Sequence, residues 1–475
     1  MAPERKVTEL ETRLTQLLEE QSATVAALSA TIAKLTARIE ELTAQQKRNS
    51  SNSSRPPSTD PPWTGPKRKP EHKPSERKRG GQPGHEPHKR EHVTADEVYD
   101  VLLLVCPHCQ AELDESTVVG EAVQVQQVVE LVTGKSVSEY WAREHQCGCG
   151  RRVRAKLRGV VPMTATGPKL QAAVTNFIAR YGMSRVDAQE ALSEMFGVEL
   201  SVGAVHEITE RAARATEPAV ADIAKQLAAA PSKHCDETGW RHNGNRAWVW
   251  VVCSALGALF RIDERRTRAA FERLLPKVEG IVHTDRWRVY DIIDAEMRQL
   301  CHAHLRRDMQ ALIDLGPATK AIGESLLAVS DQMFALWHQF VDGKIDRAAL
   351  LRAMEPVQLQ WRAHATLAKA HDHKRARALG KDLLRQWTSL WTFLRHDAVE
   401  PTNNRAERAI RPTVILRKTN GGTASALGAA FVGNLQSVLA TARCQGVAAL
   451  AWLERALAAE LVRGRLPMLL PRPSG

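Results

Sequence analysis

The sequence lacks the marks of a membrane or exported protein. Its most apolar run, residues 247–260, is too short to span a bilayer and is broken by polar residues. The first residues show no charged, apolar and small-residue regions of a secretory leader; their apolar positions are spaced as in an amphipathic helix. Eight cysteines in 475 residues do not read as a disulfide framework. Four of them fall in two close pairs, a metal-site pattern that belongs to a reducing compartment. Negative charge is in deficit, with 54 Asp and Glu against 66 Lys and Arg, a net charge of +12. That balance excludes no fold, but it favours a polyanionic partner over a merely basic soluble protein. A soluble, cytoplasmic chain is expected, and a 43% hydrophobic content is enough for buried cores. The length suggests roughly three domains.

The first forty-odd residues carry a coiled-coil seam. Leu14, Leu18, Gln21, Val25, Leu28, Ile32, Leu35, Ile39 and Leu42 step alternately by four and three, which keeps them on one stripe of an underwound helix. Self-association is the expectation, with packing on the protein's own surface as the alternative. Residues 47–98 then form a Pro-, Ser- and Gly-rich linker. Between residues 47 and 92 it holds 12 Lys and Arg against 5 Asp and Glu. It has too few apolar side chains to offset chain entropy, and its charge suits salt-sensitive contact with DNA phosphates.

Residues 99–155 have the look of a small zinc module. Cys106 and Cys109 stand at the usual two-residue gap, whereas Cys147 and Cys149 are separated by one residue, so His145 or His108 is an alternative ligand. Residues 156–229 read as helices. A turn at Phe196-Gly197-Val198 and an N-cap at Ser201 give a helix-turn-helix-like, DNA-binding segment, or else a plain helical hairpin. From about residue 231 strand signals take over, with Asp236 on a first strand and Asp285 ending a later one. A short strand over 299–304 is expected next, then a helical stretch to residue 396, a helix over 402–410 and a last helix over 448–461. Trp337, Trp361, Trp387 and Trp391 are expected in the core of the helical stretch.

Three hairpin-forming strands, a helix and a further strand describe the start of an RNase H-like α/β domain, whose strand ends deliver side chains to one rim. Two aspartates and a third carboxylate there can hold two Mg²⁺ ions about 3.5–4 Å apart. Glu237, next to Asp236, should face the other side of its strand and be structural. Cys301, His302 and His304 suggest either a second metal site or, preferably, a rim strand with His304 or Arg306 at the substrate.

Taken in order, the motifs are specific. They run from the zipper through Arg48 to Ser58, Gly80-Gly81-Gln82-Pro83-Gly84-His85, the two cysteine pairs and Asp236-Glu237-Thr238. They continue with His283-Thr284-Asp285 followed by Arg288 and Tyr290, Cys301 to Arg307, Asn403 to Pro412, and Lys418 to Gly422. In this order the chain resembles the transposases of insertion-sequence family sixty-six over nearly its whole length. The resemblance implies a DDE enzyme with catalytic acids Asp236, Asp285 and Glu407, which would bind Mg²⁺ (or Mn²⁺), and a structural Zn²⁺ on Cys106, Cys109, Cys147 and Cys149. The expected architecture is a coiled coil (1–46), basic linker (47–98), zinc module (99–155), helical domain (156–229), RNase H-like domain (230–307 and 397–447), helical insertion (308–396) and C-terminal helix and tail (448–475).

The expected partners are double-stranded DNA (the element's terminal repeats and the target), further copies of the chain in a homo-oligomer, and accessory proteins of the same element. Arg405, Arg408 and Arg411, at three-residue spacing, and Lys418 are candidate DNA contacts. The rival readings are a DNA-binding or architectural protein without catalysis, and an RNase H-like nuclease that does not join strands. A cytoplasmic, nucleoid-associated location follows from the DNA partner.

Overall fold

The protein is described by a computed structural model. It describes residues 2–46, scattered residues between 49 and 154, and residues 164–470 with two single-residue gaps. Most of the basic linker, Cys147 and the last five residues lie outside the described residues.

Helix α1 (Ala2–Gln46) runs 45 residues. Its seam positions face solvent, Leu14 at 60% and Ile32 at 63% exposure, so the apolar stripe is not covered by the rest of this chain. In the cysteine-rich part, Cys106 and Cys109 share a tight turn, where the backbone N–H of Gln110 donates to the Cys106 carbonyl at 2.9 Å. Strands β1 (Glu144–Gln146) and β2 (Arg152–Arg154) pair as a small antiparallel hairpin whose connection carries the second cysteine pair.

Three helices come next: α2 (Pro168–Ala179), α3 (Arg185–Phe196) and α4 (Val202–Ala229). Local chemistry sets their ends. Ser184 and Asp187 form a reciprocal capping box on α3, and Ser201 accepts the Ala204 N–H at 3.1 Å to cap α4. The turn at Gly197 separates α3 from α4 as the sequence suggests.

The sheet has five strands: β3 (Ser232–His242), β4 (Asn245–Cys253), β5 (Ala258–Asp263), β6 (Ile281–Thr284) and β7 (Arg298–Leu300), in the order β5-β4-β3-β6-β7. Strands β3, β4 and β5 form an antiparallel meander, and β6 and β7 add in parallel on the other side of β3. Asn243 and Gly244 both have positive φ, 49° and 73°, which suits the tight turn between β3 and β4. Helix α5 (Arg268–Leu274) lies between β5 and β6.

Beyond β7 the chain is helical: α6 (His302–Leu315), α7 (Pro317–Val341), α8 (Arg347–Ala370), α9 (Lys374–Arg385) and two short turns, α10 (Trp387–Leu390) and α11 (Thr392–Arg395). Then come α12 (Asn404–Asn420), α13 (Ala426–Cys444) and α14 (Ala449–Val462). The expected strand over 299–304 is shorter than anticipated. It stops at Leu300, and His302 already opens α6, so His302 and His304 stand on a helix rather than a rim strand. The cause is tertiary: the Cys301 N–H closes the last sheet bond to the Thr284 carbonyl at 2.9 Å, and nothing beyond it offers a partner strand.

Two cores result. One joins α2, α3 and α4 to the sheet, α12, α13 and α14, so the helical segment shares its interior with the strands. The other fills the bundle α6–α11 and includes Trp361 and Trp391, with Trp337 and Trp387 packed against it. Between α12 and α13, Gly422 at φ 122° packs against β3, and a Cβ there would lie 2.3 Å from the Arg241 carbonyl oxygen. This close approach lets Thr423 hydrogen-bond to both Arg241 and Asn243.

Candidate active site

The central strand β3 carries Asp236 between an antiparallel neighbour and a parallel one. In the parallel register, His234 stands opposite His283. The pairing ends there: Asp236 continues along β3, whereas Asp285 is the first residue beyond β6, and its charge is felt by both Asp236 and Glu237. The histidine pair is stacked, with ring centroids 3.9 Å apart and planes 18° from parallel.

Glu237 points to the opposite face, as alternation requires. It is buried there, where it pairs with Arg266 and accepts the Tyr290 hydroxyl. Its charge is nonetheless coupled to both aspartates, since it is the strongest charge acting on Asp236 and Asp285 is the strongest acting on it.

Glu407 arrives from far along the chain. It lies in the first turn of α12, and the position of that turn is set by Asn403, which has no exposed surface. The Asn403 side-chain N–H donates to the Cys235 carbonyl at 2.7 Å, and its carbonyl oxygen lies 3.1 Å from Nδ1 of His234. Its backbone N–H donates to Sγ of Cys301 at 3.1 Å. Nearby, the His302 N–H donates to the Pro401 carbonyl at 2.9 Å, and Nδ1 of His283 lies 3.2 Å from the Thr402 carbonyl. One asparagine therefore ties the start of α12 to β3 and to the β7–α6 junction.

His304, on the first turn of α6, is the group the three acids share. Its Nε2 lies 3.6 Å from Oε1 of Glu407. Burial works against its charge, but a hydrogen bond and charge from Cys301, and then Asp236 and Asp285, hold it up at about 10. Burial pushes the Asp236 carboxyl well above the usual carboxylate range, Glu237 and Asp285 add to this, and His304 opposes it. Asp236 accepts the Glu237 N–H, and Asp285 accepts the Trp287 N–H, each at 2.9 Å. Glu407 also pairs with Arg307 at 3.3 Å. Among the described residues the ligand atoms of Asp236, Asp285 and Glu407 do not gather into one three-ligand group, whereas those of Cys301, His304 and Glu407 do.

Of the candidate DNA contacts, Arg405 is half-buried and reaches the Ser254 carbonyl at 3.5 Å, whereas Arg408, Arg411 and Lys418 are exposed along α12. Arg417, which no spacing argument singles out, donates to the Gly239 carbonyl and so fastens α12 to β3. In the cysteine-rich part, backbone N–H groups of Cys109 and His108 hydrogen-bond to the Cys106 thiol and lower its pKa. Among the described residues Cys106, Cys109 and Cys149 do not gather into a three-ligand group, and Cys147 is outside them. Asn403, Arg307 and the His234–His283 stack are the contributors that sequence reasoning missed. The signal available for Asn403 was its place one turn before Glu407.

Residues 165–430 match the transposase IS66 family, and residues 3–91 match a family of unknown function. Two curated relatives come from Sinorhizobium fredii. The uncharacterized protein y4jD is 23% identical over 48% of this chain and 47% of its own length. The uncharacterized protein y4hP is 24% identical over 65% of this chain and 62% of its own length. The chain thus spans about half to just under two thirds of the relatives it matches. The family match covers more than half of the sequence and includes all three acids, and on that ground the chain belongs to the IS66 transposase family.

Proposed function

We propose that the chain is a DDE transposase that cuts the ends of its mobile element and joins them to target DNA, with Asp236, Asp285 and Glu407 as the catalytic acids. The observation that supports this reading is His304, which feels the charges of Asp236 and Asp285 and lies 3.6 Å from Glu407. The sheet order β5-β4-β3-β6-β7, three antiparallel strands followed by two parallel ones, supports an RNase H-like catalytic domain interrupted by the α6–α11 bundle.

The donor set fits Mg²⁺ or Mn²⁺: the acids offer oxygen ligands only, and Asp236 is buried with like charge beside it. When bound, the ions would supply an activated oxygen nucleophile and neutralise the departing 3′-oxygen. Asp236, Asp285 and Glu407 would hold the ions, which requires Glu407 to turn from Arg307 and His304 toward the aspartates. His304 stands where it can face the phosphate oxygens, and the exposed Arg408, Arg411 and Lys418 line α12 for the DNA backbone. The uncovered stripe of α1 supports a homo-oligomer, and the cysteine turn with the β1–β2 hairpin supports a structural Zn²⁺ site. The basic linker, which lies almost wholly outside the described residues, is assigned to DNA by its charge alone. No helix among the described residues is long and apolar enough to cross a membrane.

Cleavage and joining of terminal-repeat DNA in Mg²⁺ test the reading. Asp236→Asn, Asp285→Asn and Glu407→Gln should each lower both steps at least about a hundredfold, because each removes a charge on which the reacting phosphate depends. Full activity in any of the three would refute the assignment. A wild type that only binds the DNA would make the chain an architectural protein, and one that cuts without joining would make it a nuclease.

A further inference from the structure

Apart from any magnesium pair, the rim holds a second constellation with different chemistry. Ligand atoms of Cys301, His304 and Glu407 all lie within 4.8 Å of one another, the one such group among the described residues. Cys301 immediately precedes α6 and His304 lies in its first turn, so the three-residue step puts both side chains on one side of the helix end. Glu407 enters from the first turn of α12. Cys301 is buried at 2% exposure, and its Sγ accepts the backbone N–H of Asn403 at 3.1 Å. Nδ1 of His304 is buried with no hydrogen-bond partner within bonding geometry.

We propose that Cys301, His304 and Glu407 form a site for a single soft divalent ion of the zinc class, and that this ion competes for Glu407 with the magnesium pair. The competitive half rests on the transposase reading; the binding half does not. A tetrahedral ion with bonds of about 2.3 Å to sulfur and about 2.0–2.1 Å to nitrogen and oxygen places its ligand atoms roughly 3.3–3.6 Å apart. The His304–Glu407 separation of 3.6 Å already meets this, and Cys301, within 4.8 Å of both, needs to close by at most about 1.2 Å. The fourth position is left for water. The thiol of Cys301 and the imidazolium of His304, whose proton is held up to about 10, each give up a proton to solvent on binding, with no change of oxidation state. The sulfur ligand is what separates the two ion classes: Mg²⁺ selects oxygen ligands and leaves a thiolate, whereas zinc, cobalt and cadmium accept it. Glu407 has one carboxylate and cannot complete both sites, so loading the sulfur site takes the third acid from the aspartates.

Cobalt(II) titration of the full-length chain tests the site, read by the thiolate-to-cobalt absorption band and by metal content after dialysis. The N-terminal cysteine pairs are present in every variant and cancel in the comparison. Wild type should hold about one equivalent more than Cys301→Ser, and His304→Gln should lose the same equivalent. Glu407→Gln should weaken it about tenfold or more. If Cys301→Ser does not give the wild-type circular dichroism spectrum, His304→Gln carries the comparison. Identical stoichiometry and spectra in wild type and the folded variant would overturn the site. None of these readouts uses DNA, so a chain that binds the extra ion yet never processes DNA refutes the transposase reading and leaves the metal site standing.

Discussion

Replacing Asn403 with alanine is the most informative single perturbation, because that side chain ties the helix turn carrying Glu407 to the strand carrying Asp236. It has no exposed surface, and it both donates to the Cys235 carbonyl and accepts from Nδ1 of His234. Alanine would strand both partners in a region without water. A buried polar group left unpaired costs about 1–3 kcal/mol, so the two together amount to roughly 2–6 kcal/mol. A folded protein has only about 5–15 kcal/mol in hand, so the loss is large on that scale. The effect on the reaction should exceed the effect on stability. Glu407 lies one turn beyond Asn403, and a displacement of about 1 Å at a reacting group costs on the order of a hundredfold in rate. The assay therefore has two arms: thermal melting followed by circular dichroism, and DNA cleavage measured at least 15 °C below the variant's own melting point, an interval of roughly several kcal/mol. We expect a melting point lower by several degrees and a rate down about a hundredfold. A variant that melts with wild type, or that melts early but cleaves at full rate when folded, would refute the idea that Asn403 positions the acid.

Three further outcomes follow from the packing and charge. Gly380 lies where α8 and α9 touch, and a Cβ there would sit 2.2 Å from the Lys369 backbone nitrogen. Gly380→Ala should cost about 1–3 kcal/mol in urea unfolding, and an unchanged midpoint would show that the two helices separate freely. The part of the stability that depends on the His234–His283 pair should fall as the pH drops from 7 to 5. Burial holds the folded-state pKa of His234 near 2 and of His283 near 4, below an ordinary value of 6.5, so the unfolded chain takes up protons first. That part is complete above about pH 6.5 and shrinks below it, by roughly 2 kcal/mol per histidine at pH 5; because the raised carboxyl of Asp236 works in the opposite direction, the readout is the pH slope of melting in wild type against His234→Gln, and equal slopes would contradict the burial of the pair. Arg408→Ala should weaken DNA binding alike for specific and random sequences and flatten the salt dependence by about one phosphate contact. A mobility-shift series in rising KCl reads this, and an unaltered slope would take α12 out of the DNA interface.

Local chemistry was legible wherever a few neighbouring residues decide the outcome. The Ser201 cap, the Asn243-Gly244 turn, the seam of α1 and the alternation that sends Glu237 away from Asp236 all depend on contacts within a turn or a pleat, and all can be read from spacing. The order of acidic motifs pointed to Asp236, Asp285 and Glu407, but where each of them stands rests on things no local pattern encodes. The β3–β6 register comes from pairing strands some fifty residues apart, and a one-residue slip would turn one aspartate to the other face. The end of β7 at Leu300, and with it the helical placement of His304, depends on the Thr284 carbonyl supplying the last sheet bond. The reach from Asn403 to Cys235 and Cys301 exists only after the α6–α11 bundle has folded back on itself. Side-chain period and capping are set by short-range sterics and hydrogen bonds, so the sequence alone determined them. Which distant backbone groups satisfy one another, and therefore where the third carboxylate stands, was decided by the tertiary structure, because only the packed interior removes the water that would otherwise serve those groups equally well.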